Sequence, residues 1–327
     1  MIRTSPICRS LLWACVWYLL ACVPAWGGTR VEAILQRGFL RCGVTEHYVG
    51  FADRQPNGEY VGFEADLCRA VASALLGQVR VQFVPLQNVH EWLADPGIDL
   101  VFHRLTWTLQ REAPGQIEFG PVVLYDGLGV LLDQRYASRP SQLEGRRVCV
   151  AAGRGPQAQA YLAATEQHWQ LVDATGPASE SSMNAEGCAG WIGERTELAS
   201  RRMGFADPDR YRVSETSFGK EPLAPVLPSD DADFSRVVRW TVQALIEAEE
   251  HHVTQAMAAA GSQDWYDAGS GEALGIAPNW ADRVVASVGN YGELYQRHLG
   301  PQALDLPRGI NRLWTEGGLM YALPMHP

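Results

Sequence analysis

A short apolar run, a turn, an amphipathic helix and a second apolar run follow one another twice along this chain, and that repeated order confines it to alternating α/β architecture. In the first round "FLRCGV" is strand-like and "QPNGEY" is a turn; Phe63, Leu67, Val71, Ala74 and Leu75 then share one helical face, and "VRVQFVPL" and "IDLVFH" read as buried strands. After the loop "DQRYASRPSQLEG" the order restarts: strand "RRVCVAA", a helix from Pro156, strand "WQLVD", a helix around 179–186, strand "CAGWIG" and a helix from Glu194. Strands separated by helices pair in parallel through right-handed crossovers. Two rounds therefore predict two parallel-sheet lobes, and 327 residues leave room for two cores.

Ligands of open parallel sheets sit beyond the carboxyl ends of the strands. Three segments fall at such ends: "LTWTLQRE", "AAGRG" and "WIGER". In the first, Thr106, Thr108 and Arg111 are close enough to converge on one small carboxylate, with the guanidinium supplying a charged fork. The competing reading is a turn capped by Thr108 with a solvent-facing arginine.

Residues 1–27 read as a signal peptide. Arg3 and Arg9 precede "LLWACVWYLLACV", and small residues allow cleavage after Ala25 or Gly27. The apolar run of 13 residues is short for a membrane span. "LLAC", ending at Cys22, also resembles a lipoprotein processing site, so a lipid anchor at Cys22 stands beside a freely soluble periplasmic product. The net charge of -10 argues against nucleic acid or an anionic membrane surface as partner. Of seven cysteines, Cys42, Cys68, Cys149 and Cys188 remain after the leader. In an oxidising compartment they form two disulfides of three possible connectivities, or else stay as buried thiols.

"GFEADLCRAVASAL", "TWTLQRE", "LYDGLGVLL", "EPLAPVL", "VGNYGELYQRHLG" and "GINRLWTEGGLMYA", taken in order, resemble the general L-amino-acid-binding group of the periplasmic solute-binding proteins, family 3, the receptors of polar amino-acid ABC importers. The resemblance implies a two-lobed periplasmic-binding-protein-like fold with a two-strand hinge. It places the first lobe at 28–126 and 224–327 and the second at 127–223. Thr106 and Arg111 would hold an α-carboxylate, with Thr108 bracing the turn. Tyr48 would present an aromatic ring to the ligand and Leu86 an apolar wall, while Glu194 would grip the ammonium group. Within-lobe disulfides, Cys42 to Cys68 and Cys149 to Cys188, would leave the hinge free. The implied partners are an amino acid and a membrane permease, for a monomer that uses no cofactor or metal and does no chemistry on its ligand.

Several positions depart from the family pattern. Gly153, Arg154 and Gly155 replace Gly-Thr-Thr, and His103, Arg104 and Leu105 replace smaller polar residues. Ala189 replaces an acidic one. Either Arg154 recruits a second carboxylate, from an acidic amino acid, or it pairs with Glu194 in the empty cleft; the first is preferred. Two other classes compete for parts of the sequence. "GRGPQA" with Asp173 formally matches a dinucleotide fingerprint, but Pro156 removes an N–H donor where a pyrophosphate needs one. An enzyme on the same scaffold, a dehydratase or hydrolase, would use Glu194 and His103 as acid and base. His251 and His252 read as a solvated helix face, since adjacent residues do not share a face.

Overall fold

The computed structural model describes residues 30–95, 97–151, 153–261 and 264–326. The leader and Cys22 lie outside them. The strands of the first unit are β1 (Leu40–Val44), β2 (Asp53–Arg54), β3 (Tyr60–Val61), β4 (Val81–Pro85), β5 (Leu100–Phe102) and β6 (Ile117–Phe119). The second unit holds β7 (Leu124–Asp133), β8 (Arg147–Ala151), β9 (Gln170–Ala174), β10 (Gly190–Glu194), β11 (Tyr211–Val213) and β12 (Phe218–Leu223), and β13 (Val226–Pro228) returns to the first.

The first sheet has the order β4-β1-β5-β13-β6, and the second β11-β7-β10-β8-β9 with β12 also on β7. Both have parallel centres, β4-β1-β5 and β10-β8-β9. Their margins are antiparallel: β13 opposes β5 and β6, and β7 opposes β10, β11 and β12. These strands carry the chain out of the first unit and back, so the outgoing and returning segments run in opposite directions. A reading built on crossovers alone does not reach them.

The helix Phe63–Leu76 is buried on nearly every face, not on the single stripe its periodicity suggested. It lies between the first sheet and the helices Ala232–Glu250 and Trp280–Val288. Gly62 opens it at φ 133°, where a Cβ would stand 2.3 Å from the carbonyl oxygen of Phe51, so only glycine fits.

The disulfides are Cys42–Cys68 and Cys149–Cys188, with Cα separations of 6.2 and 5.7 Å. Each stays within one unit, joining β1 to the helix Phe63–Leu76 and β8 to the segment just before β10. Closing loops of 26 and 39 residues restricts the unfolded chain by roughly 3–4 kcal/mol each in the chain-entropy account.

Alternation along the second sheet divides its side chains between two cores. Val130, Val148, Val150 and Ile192 pack with Tyr161 and Trp169 in one cluster. Leu131, Cys149 and Trp191 face the other way and join a cluster continuous with the first unit through Leu299, Leu304 and Leu306. This C-terminal strap is also held by polar contacts from the second unit. Arg195 donates to the Pro307 carbonyl at 3.0 Å and Arg202 to the Leu304 carbonyl at 2.8 Å. Asn311 clamps Tyr125 at the start of β7, accepting from its N–H at 2.7 Å and donating to its carbonyl at 2.9 Å. Asn311 is buried, and its loss leaves two backbone groups without partners, so Asn311→Ala is expected to destabilise the fold by about 1–3 kcal/mol. An unchanged thermal midpoint would remove the clamp from the account.

Candidate functional site

Between the two sheets lies a cleft of about 790 Å³. Its first wall starts where β5 ends. Arg104 takes a left-handed backbone, φ 46°, and its N–H donates to the carboxylate of buried Glu64 at 2.7 Å. The chain then turns so that His103, Leu105, Thr106, Thr108 and Arg111 come to the cleft. Thr108 caps the helix Leu109–Glu112, its hydroxyl accepting from the Arg111 N–H at 3.3 Å. The exposed Arg111 guanidinium donates to the Thr106 carbonyl at 2.6 Å, and the Thr106 hydroxyl donates to Glu221 on β12. Both readings of this stretch therefore hold at once: a capped turn, with its arginine facing the cleft.

The opposite wall comes from the ends of β8 and β10. Gly153, exposed at φ 80° with open space around it, makes the turn that places Arg154 before the helix Gly155–Thr165. Arg154 donates to Glu194 at 3.0 Å, which is the paired arrangement of the two left open by the sequence. Burial raises the Glu194 carboxyl above its ordinary range, and the Arg154 charge opposes that shift. Glu194 is fixed because the next helix, Arg195–Arg202, is tied to β7: the Thr196 hydroxyl donates to buried Asp126 at 2.5 Å.

The structure thus brings Thr106, Arg111, Arg154 and Glu194 to one cleft from two sides. Gly153 and Gly155 adjoin it as the turn that carries Arg154. Leu86 sits elsewhere: its side chain is buried in the first unit's core beside Ile98 and Val101. Its carbonyl faces His103, 3.1 Å from Nε2. Because a carbonyl only accepts, Nε2 carries the proton; burial lowers the His103 pKa and favours the neutral ring. Tyr48 is partly buried with the Arg104 guanidinium 3.4 Å over its ring. Sequence reading missed Glu221, whose only signal was its place in the returning hinge strand, and the position taken by Arg104. Among the described residues no His, Cys, Asp and Glu cluster could hold a metal ion.

Two α/β units joined by antiparallel strands, with opposed charges across a cleft, define a receptor that closes on a small solute. The chain belongs to the bacterial extracellular solute-binding proteins, family 3, whose family model matches residues 40–259. It is 31% identical to the general L-amino acid-binding periplasmic protein AapJ of Rhizobium johnstonii, over 91% of this chain and 93% of that protein. It is also 31% identical to the glutamate/glutamine/aspartate/asparagine-binding protein BztA of Rhodobacter capsulatus, over 90% and 93% respectively. Among solved structures, an ABC transporter periplasmic binding protein from Brucella ovis with glutathione bound superposes with a TM-score of 0.76 at 30% identity, covering 91% of this chain and 99% of that one. Among the described residues no helix is long and apolar enough to cross a membrane.

Glu64 yields a prediction for this wall. Burial raises its pKa from 4.5 to about 7, against the pull of Arg104. Between these values the folded chain binds more protons than the unfolded one, so this carboxyl's contribution is complete below about pH 4.5 and is lost as pH rises towards 7. Chemical denaturation across that range should show the parent losing on the order of 3 kcal/mol relative to Glu64→Gln. A pH-independent difference would contradict the assignment.

Proposed function

We propose that this chain is the extracytoplasmic substrate-binding component of an amino-acid ABC importer, acting as a monomer that closes over its ligand and presents it to the membrane permease. The observation that carries the reading is the cleft itself, where Arg111 and Thr106 on one wall face Glu194 on the other. Arg111 receives the α-carboxylate and Glu194 the ammonium group, so one zwitterion bridges both lobes and favours their closure about β7 and β12. Arg154 pairs with Glu194 at 3.0 Å. Such a half-exposed pair is worth only about 0–1 kcal/mol, so a ligand ammonium displaces it readily.

The ligand class we favour carries a second carboxylate. BztA is named for glutamate and aspartate among its ligands, and the Brucella ovis structure holds glutathione, which also has two carboxylates. No chemistry is done on the ligand. His103 is held by the Leu86 carbonyl and is poorly placed to serve as the acid or base that an enzyme would need.

Mass spectrometry of the ligand released from purified protein tests the reading, and an amino acid or small peptide is expected. Removing one side of a desolvated charge pair costs about 2–5 kcal/mol. Arg111→Ala should therefore weaken binding by roughly 30- to several-thousand-fold, with the far-UV spectrum unchanged. Binding within threefold of the parent would refute the role given to Arg111.

A further inference from the structure

Two residues before Thr106 lies an arginine that the ligand scheme leaves unused. The central carbon of the Arg104 guanidinium stands over the Tyr48 ring, 3.4 Å from its centre, and 6.0 Å from the centre of the Phe51 ring. Its Nε is buried without a hydrogen-bond partner. Among the described residues, no carboxylate pairs with its guanidinium and no carbonyl accepts from it. The two arginines that line the cleft are engaged, Arg111 with the Thr106 carbonyl and Arg154 with Glu194.

The surroundings are unsatisfied in the same way. Tyr48 Oη and Glu64 Oε2 are both buried without partners, although Glu64 is only 4% exposed and its other oxygen is taken by the Arg104 N–H. Buried polar groups in folded proteins are seldom left unpaired, and several around one cation point to a missing partner. The position is also held at a cost. A left-handed backbone at a residue with a Cβ is disfavoured by roughly 1–2 kcal/mol, and the Glu64 bond to the Arg104 N–H maintains it.

The cluster adjoins the cleft without forming part of its lining: His103 and Leu105, on either side of Arg104, line it, and the charges of Glu194, Glu197 and Arg201 on the second unit act on the Tyr48 hydroxyl. A guanidinium laid flat on an aromatic ring keeps its in-plane N–H donors available at its edge, which matches a carboxylate.

We propose that Arg104, on its Tyr48 platform, is the receptor for a second ligand carboxylate and so determines selectivity for dicarboxylic ligands. The inference rests on the functional reading above and moves the second carboxylate from Arg154, where the sequence placed it, to Arg104. A protonated Glu64 Oε2 would add a donor to the same carboxylate.

The test is calorimetry with glutamate, glutamine and glutarate on the ligand-stripped parent, Arg104→Met and Arg154→Thr. Arg104→Gln is read in parallel, so that misfolding of one variant does not decide the result. The parent should prefer glutamate to glutamine, and that ratio should fall at least ~30-fold in the Arg104 variants while persisting in Arg154→Thr. An unchanged ratio in the Arg104 variants, or its collapse in Arg154→Thr instead, would overturn the proposal. Arg104-dependent binding of glutarate by a parent that binds neither amino acid would uphold the carboxylate site and refute amino-acid binding. A parent that binds none of the three would refute both.

Discussion

Leu124 opposite Leu223 and Leu128 opposite Phe218 form the antiparallel pairing of β7 with β12 on which the rest of the molecule depends. These two strands connect the units, and their register decides which ends of β5, β8 and β10 face one another. The register shifts between Phe218 and Glu221, and such irregularities re-aim side chains. Here Glu221 meets Thr106, so the hinge strand and the turn that forms the first wall of the cleft share a hydrogen bond.

The C-terminal strap ties the two units together. Its leucines are buried against both units, while Arg195 and Arg202 hold its carbonyls from the second unit and Asn311 holds β7 from the first. The cleft lining is charged, with Arg111, Arg154, Glu194 and Glu221 in it, and a ligand shifts a conformational equilibrium only by its differential affinity for the two states.

Much of this was legible in the chain. The strand-helix period located β1, the helix Phe63–Leu76, β4, β5, and β8 through β10, because each buries a face whose pattern is local. β6 and β13 are three residues each and owe their existence to partners more than a hundred residues away, which no local period records. Thr106, Arg111, Arg154 and Glu194 could be named from their places at strand ends. Leu86 could not be separated from a core residue, since an apolar side chain after a strand reads the same whether it faces the cleft or Gly43 beneath it. Arg104 was visible only as a departure: its direction depends on a positive φ and on Glu64, forty residues earlier.

Closure around a ligand is read out by small-angle scattering of the ligand-stripped protein. Titration with an L-amino acid ligand, glutamate first, should lower the radius of gyration saturably, in step with calorimetric binding. A radius that stays constant at saturating ligand would contradict the account.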